Sequence, residues 1–434
     1  MGWSRVVKLS IILIIIFVFS IGCGRDDNID RQGRKEIILA TFQSNRLASE
    51  LVNQFNRTNE NYYITIDVYW DGICVDEGQM VRKKFDAAIT NKRASRYPDI
   101  VVTEWNYDYF RYARRGVFED LMPYLKADEE IRREDLFEQV LDTLLVDEKQ
   151  YGLPTHFIIQ ALMLTEAAAA TDRSLETITE LQKVADYSIL TFYERFFNLR
   201  FWILHYLDDI IDWQAGVCDF DNPLFISLLE MFKDIPEETD YFRVLDAIKD
   251  NEPIFLYNQI TNIYKLQGVI DYLFGGDATI IGFPGREDEI NVFSASIFSM
   301  TRNTRNKQIA WDFISSSVSD EFQMGKMDRE DFYLTISRNV FDEYISRHSE
   351  EKVWPIAYTL YFGDNTRYKM SYLRQDTINT FHHLLDMKMF AMVFDDRLMD
   401  VILGEVYDYF DGQSLERTII NLNNRVGLYL EENR

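Results

Sequence analysis

Apolar and polar residues change their spacing repeatedly along this chain of 434 residues, and each change predicts an element. Glu36-Ile-Ile-Leu-Ala-Thr-Phe42 is a short apolar run suited to a buried strand. Ser44 can cap the helix that follows, in which Leu47, Leu51, Val52 and Phe55 share one face. From Tyr62 to Tyr69 the pattern alternates, with Ile64, Ile66 and Val68 on one side and Thr65 and Asp67 on the other, which predicts a strand. Helical spacing returns from Met80 to Ile89 through Val81, Phe85 and Ala88. Pro98 to Thr103 reads as a third strand, and a helix from Tyr107 to Arg115 stops at Gly116. Strands alternating with helices predict an α/β fold with a mainly parallel sheet.

Beyond Gly152-Leu-Pro154 the pattern is mostly helical from 158 to 232, with aromatic stretches such as Phe192 to Phe201. Ala278 to Gly285 predicts a strand running into a turn, and Ile290 to Met300 a second extended segment. Lys307 to Phe322 predicts one amphipathic helix, and Tyr358, Tyr361, Tyr368 and Tyr372 read as a helix face. The last helix starts at Ser414 and carries Leu415, Ile419, Leu422, Val426 and Leu430 as its apolar stripe. No internal repeat is visible.

The apolar run from Leu9 onward is about a dozen residues, short of the roughly 20 that a spanning helix needs. Behind Arg5 and Lys8, with no acidic residue before it, it reads as a signal-peptide core over residues 1–22. Ser20-Ile21-Gly22-Cys23 resembles the lipobox of bacterial lipoproteins, although Ser20 stands where leucine is usual. That resemblance implies cleavage before Cys23 and acylation of its thiol with fatty acids such as palmitate; an uncleaved N-terminal anchor is the alternative. Either way the rest of the chain is expected outside the cytoplasm, at the cell membrane. Residues 23–35 are polar and read as a flexible linker.

The full chain has 46 basic and 71 acidic residues, for a net charge of −25. Such a charge repels phosphate backbones and argues against nucleic-acid binding. With 47% hydrophobic and 15% aromatic residues the chain is expected to fold, and its length predicts two lobes. Cys74 and Cys218 lie 144 residues apart and are expected to be free, largely buried thiols. His382-His383 is the only histidine pair and suits a helix better than a metal site, so no metal or cofactor is expected.

Several segments together resemble extracellular solute-binding proteins of ABC importers, in the group that contains maltose-binding protein. They are Tyr97-Pro-Asp-Ile-Val-Val102, Gly116-Val-Phe-Glu-Asp-Leu-Met-Pro-Tyr-Leu125, Ile281-Gly-Phe-Pro-Gly285 and Asn306-Lys-Gln-Ile-Ala-Trp-Asp-Phe-Ile314, with Phe322-Gln323. Cys218 to Phe225 and Asn423 to Glu431 resemble segments of longer lipoprotein members. The region Leu164 to Leu181 lacks the Trp that many members carry early in the second lobe. The resemblance implies a two-lobed type II periplasmic-binding-protein fold, each lobe a mainly parallel sheet flanked by helices. Residues 36–152 and 286–335 form the first lobe in this reading, and 153–285 and 336–434 the second. It also implies a monomer that captures a carbohydrate in the interlobe cleft and delivers it to membrane permease subunits. The chain has no phosphate-binding Gly-x-x-x-x-Gly-Lys-Ser/Thr loop, so the ATPase would be a separate protein.

Ligands of open parallel sheets sit beyond the carboxyl ends of the strands. The loops there carry Gln43, Asn45, Trp70, Asp71, Glu104, Trp105 and Phe283, and Trp354 lies in the second-lobe return. Aromatic faces cover the C–H side of a sugar while amides and carboxylates take its hydroxyls. Trp311 is expected in the core. The alternatives are the same fold binding a polyamine or another small solute, a sensor, or a surface glycosidase with a carboxylate pair. No catalytic motif supports the last, and no enzyme activity is expected.

Overall fold

The computed structural model describes residues 29–432, apart from 31, 71–77, 95, 105–108, 192–194, 238–239, 327–332, 351–355, 360–366, 371 and 393–394. The expected signal peptide, Cys23, Cys74, Asp71, Trp105, Trp354 and Tyr361 therefore lie outside the described residues. The chain divides into two compact units, the first ending at Ile100 and the second starting at Val101.

In the first unit, strand β1 (Lys35–Gln43) pairs in parallel with β2 (Tyr62–Trp70), in a register that runs from Lys35 opposite Tyr62 to Gln43 opposite Trp70. Ile37 to Ala40 are buried, as a central apolar run requires. Helix α1 (Arg46–Thr58) connects the two strands and buries Ala48, Leu51 and Val52. Asn45 caps it rather than Ser44, because the Asn45 carboxamide oxygen accepts from the Ala48 N–H at 2.7 Å. Asn56 ties the helix to β2 by donating to the Ile64 carbonyl and accepting from its N–H, at 2.9 and 2.7 Å. Helix α2 (Gly78–Thr90) buries Val81, Phe85 and Ile89. The alternation expected in β2 is only partly realised: Ile64 is buried, but Val68 is exposed. The end of the polar linker is folded onto this unit, since Arg34 pairs with Asp30 and donates to the Asn56 carbonyl.

The second unit is built on a long central strand. In it, β3 (Ile100–Thr103), β4 (Leu153–Leu164), β5 (Phe255–Ile260), β6 (Thr279–Ile281), β7 (Glu289–Met300), β8 (Leu334–Thr335) and β9 (Lys388–Ala391) form the sheet. The order β6-β4-β7-β3 runs across it. β4 is antiparallel to β5, β6, β7 and β8, while β9 runs parallel to β7. Sequence pattern predicts helix from 158 onward, yet Leu153–Leu164 is a twelve-residue strand. Phe157, Ile159 and Ala161 to Leu164 are fully buried, so both faces are apolar and the period of two is erased.

The helices after it include α3 (Arg195–His205), α4 (Pro223–Lys233) and α5 (Ile263–Leu273). The helix expected from Lys307 to Phe322 is two, α6 (Lys307–Ser316) and α7 (Asp320–Met324). The first ends with Ser317 as its cap, and Ser319 caps the second by accepting from the Phe322 N–H while its hydroxyl donates to the Ser316 carbonyl at 2.8 Å. Trp311 packs in the core of α6 as expected, with its ring on Tyr124 and its N–H donated to Asp128. Of the tyrosines expected on a helix face, Tyr358 and Tyr368 lie instead opposite each other in a hairpin, Ile356–Thr359 against Arg367–Met370. His382 and His383 are exposed on α8 (Gln375–Asp386). Helices α9 (Asp396–Phe410) and α10 (Leu415–Glu432) end the chain, the latter with Ile419, Leu422, Val426 and Leu430 buried as expected. Cys218 is free but only half-buried, and its pKa is raised by burial and by Asp219.

Candidate functional site

Residues from five separate stretches of the second unit line a cavity of about 610 Å³. The helix Tyr109–Arg114 and the residue after it supply Phe110, Arg111, Arg114 and Arg115. Two tight hairpins and the last two helices complete the wall.

The first hairpin joins Leu145–Val146 to Lys149–Gln150 through Asp147 and Glu148. Both turn residues have positive φ, 50° and 60°, as a two-residue turn between right-twisted strands demands. Neither is glycine, so strain is held beside the cavity, where Asp147 lines the wall. The second hairpin joins Ile211–Asp212 to Val217–Cys218. Its tip is held by the Asp212 carboxylate, which accepts from the Gln214 and Ala215 N–H groups at 3.0 and 2.8 Å. Gly216 supplies the left-handed residue, at φ 65°. This tip projects Trp213 into the wall, with its indole N–H anchored on Asp208 at 2.7 Å.

Asp395 and Tyr429 close the remaining side. Asp395 is buried at the start of α9, where it caps the Arg397 and Leu398 N–H groups and accepts from the Tyr429 hydroxyl. Glu405 on α9 clamps α10 by accepting from Arg425 and Asn421. Burial alone would raise the Glu405 pKa, but these hydrogen bonds and the Arg425 charge hold it below the usual carboxylate range. The cavity wall is thereby fixed by elements distant in sequence.

The guanidinium of Arg114 lies 5.9 Å from the Phe110 ring centroid and 5.9 Å from that of Trp213. Arg111 is set 5.0 Å over Tyr112. Ring faces flank both cations, and Arg111 also donates an N–H to the Tyr112 hydroxyl at 3.2 Å. The arrangement offers aromatic faces, donors and acceptors in one concavity, which suits a polar ligand with an apolar ring face.

None of the described residues expected at the site from sequence lines this cavity. Gln43 and Trp70 are brought side by side at the paired ends of β1 and β2. Trp70 lies against Phe42, with ring centroids 5.6 Å apart, and its indole N–H has no partner among the described residues. Asn45 is the α1 cap and is 7% exposed. Glu104 accepts from the N–H and hydroxyl of Ser296, a buried β7 residue at φ 48°. Phe283 has no exposed surface and stacks on His205 with centroids 4.0 Å apart, inside a cluster with Trp202 and Tyr257. Asp71, Trp105 and Trp354 are outside the described residues. Sequence reading missed Trp213, Arg111, Arg114, Asp395 and Tyr429. The usable signal was Trp213 within the turn-forming stretch Asp212 to Gly216.

By sequence the chain matches no protein-family profile and no curated protein. By structure it is similar to many solved chains. The sugar-binding protein MalE from Xanthomonas citri is 14% identical, with a TM-score of 0.59 over 92% of this chain and 98% of that one. An ABC substrate-binding protein of Listeria monocytogenes, solved with cycloalternan, is 15% identical, with a TM-score of 0.55 over 91% and 99%. An extracellular solute-binding protein family 1 structure from Alicyclobacillus acidocaldarius is 12% identical, with a TM-score of 0.55 over 92% and 99%. No described helix is long and apolar enough to cross a membrane. The likeness runs over more than nine-tenths of the chain, and this protein has the type II periplasmic-binding-protein fold of the extracellular solute-binding proteins.

Proposed function

We propose that this protein is an extracytoplasmic receptor that captures a carbohydrate in the cavity at Trp213 and hands it to the permease of an ABC importer. One observation carries the reading. In the lobe division expected from sequence, Phe110 to Arg115 and Leu145 to Asp147 belong to the first lobe, and Trp213, Asp395 and Tyr429 to the second. All of these residues lie in the second compact unit, where they bring aromatic faces, donors and acceptors together around a volume within the ~300–1,000 Å³ usual for small-molecule sites. The sugar ligands named for the neighbours support the choice of solute. Trp213 would cover the ring face of a pyranose, while Arg111, Asp147 and Gln214 would take its hydroxyls. Closure of the lobes on the sugar would exclude water, and no covalent step is part of the function. Acylation of Cys23 would hold the monomeric receptor beside its permease. The guanidinium groups in the cavity disfavour a polyamine there.

Calorimetric titration of the purified full chain with neutral and acidic oligosaccharides tests this reading. One class should bind and be recovered intact, and Trp213→Ala should bind it about tenfold more weakly. Binding unchanged by Trp213→Ala would remove the cavity as the site, and hydrolysis of the sugar would replace the receptor with an enzyme.

A further inference from the structure

The cavity carries a charge opposite to that of the molecule. The chain has 71 acidic and 46 basic residues, yet three arginines line this wall against two aspartates. Asp395 is already engaged by the Tyr429 hydroxyl and two backbone N–H groups. Asp147 is exposed at the rim. Arg114 and Arg115 form no ion pair among the described residues, and both are exposed to the solvent that a ligand would displace. Arg114 is oriented by the two rings, Phe110 and Trp213, that flank it.

A guanidinium held by its faces leaves its N–H edge for a planar, two-oxygen anion. The same indole that faces Arg114 also faces the cavity, so a sugar ring on Trp213 would place a substituent at the guanidinium edge. Neutral hydroxyls would not use that edge fully. We propose that the solute is an acidic carbohydrate, whose uronate carboxylate is read by Arg114 with Arg115 in support while its ring lies on Trp213. This rests on the carbohydrate reading and narrows it to one class.

The test uses the full chain titrated with an oligogalacturonate and with its methyl ester of the same length, at low and at moderate salt. The free acid should bind at least tenfold more tightly than the ester, and the difference should shrink as salt rises. Arg114→Gln should lose most of that preference, and Arg115→Gln part of it. The unfolding midpoints of both variants should match the parent, since both side chains are exposed. Equal affinity for acid and ester would overturn the inference and leave the carbohydrate reading standing. A preference that survives in both variants would overturn the role of these arginines. Failure of either sugar, and of neutral oligosaccharides, to bind would overturn the underlying reading as well.

Discussion

Gly282 shows how one residue can be dictated by its surroundings. It precedes Phe283 in the turn after β6, and its N–H donates to the Glu287 carbonyl at 2.8 Å. A Cβ built there would lie 1.9 Å from the Glu289 carbonyl oxygen and 2.4 Å from that of Arg286. Backbone on both sides prevents relief by rotation. Gly282→Ala should destabilise the protein by roughly 3 kcal/mol, which urea unfolding would reveal; an unchanged midpoint would show that the turn can shift freely. Glu148 is the opposite case, a side chain where glycine would fit. Its φ of 60° costs an L-residue about 1–2 kcal/mol, partly offset by the entropy that glycine loses on folding. Glu148→Gly should therefore raise stability by about 0.5–1 kcal/mol, and a lower unfolding midpoint would contradict that strain. Gly282 was visible in sequence as part of a turn, but its crowding was not, because Arg286 and Glu289 approach only after the chain reverses.

At the scale of elements, β4 separates what patterning can and cannot read. An amphipathic helix such as α1 keeps one wet face, so Leu51 and Val52 stand out against polar neighbours. Leu153–Leu164 has no wet face along most of its length, since β5, β6, β7 and β8 pair with it and the sheet is covered. Its alternation vanished, and length alone could not distinguish strand from helix. The break between α6 and α7 had a visible cause, Ser319, whose hydroxyl competes for backbone bonds. The hairpins that form the cavity wall are too short to produce any period. Only Gly216 and Asp212 mark one of them, and Asp147-Glu148 carries no turn signature at all.

The whole molecule decides the acid response. His205 is 4% exposed, pressed against Phe283 from the turn and packed with Tyr206. Burial, helped by the Arg286 charge, pushes its pKa from 6.5 down to about 3. The folded state keeps it neutral while the unfolded chain protonates it below 6.5. Stability is therefore full above that pH and is lost as pH falls from 6.5 toward 3, with a slope of up to about 1.4 kcal/mol per pH unit from this group. Unfolding free energies measured from pH 7 to 4 should decline less steeply in His205→Gln than in the parent. Parallel declines would show that His205 is not the group responsible.

Local sequence determined the buried β1, the helices α1, α2 and α10, the alternation of strand and helix, and the turn at Gly282, because each depends on neighbours a few residues away. The motifs around Tyr97, Ile281 and Asn306 carried the fold for the same reason: each encodes a packing unit that recurs wherever the fold does. The cavity depended on tertiary structure alone. Arg114, Asp147, Trp213, Asp395 and Tyr429 are separated by tens to hundreds of residues, and each has an ordinary local setting, as a helix end, a turn, a cap or a helix face. Their meeting follows from the path of the strands between them. A site assembled from such pieces leaves no period or spacing in the chain, since a contact in space requires only that the intervening elements be packed.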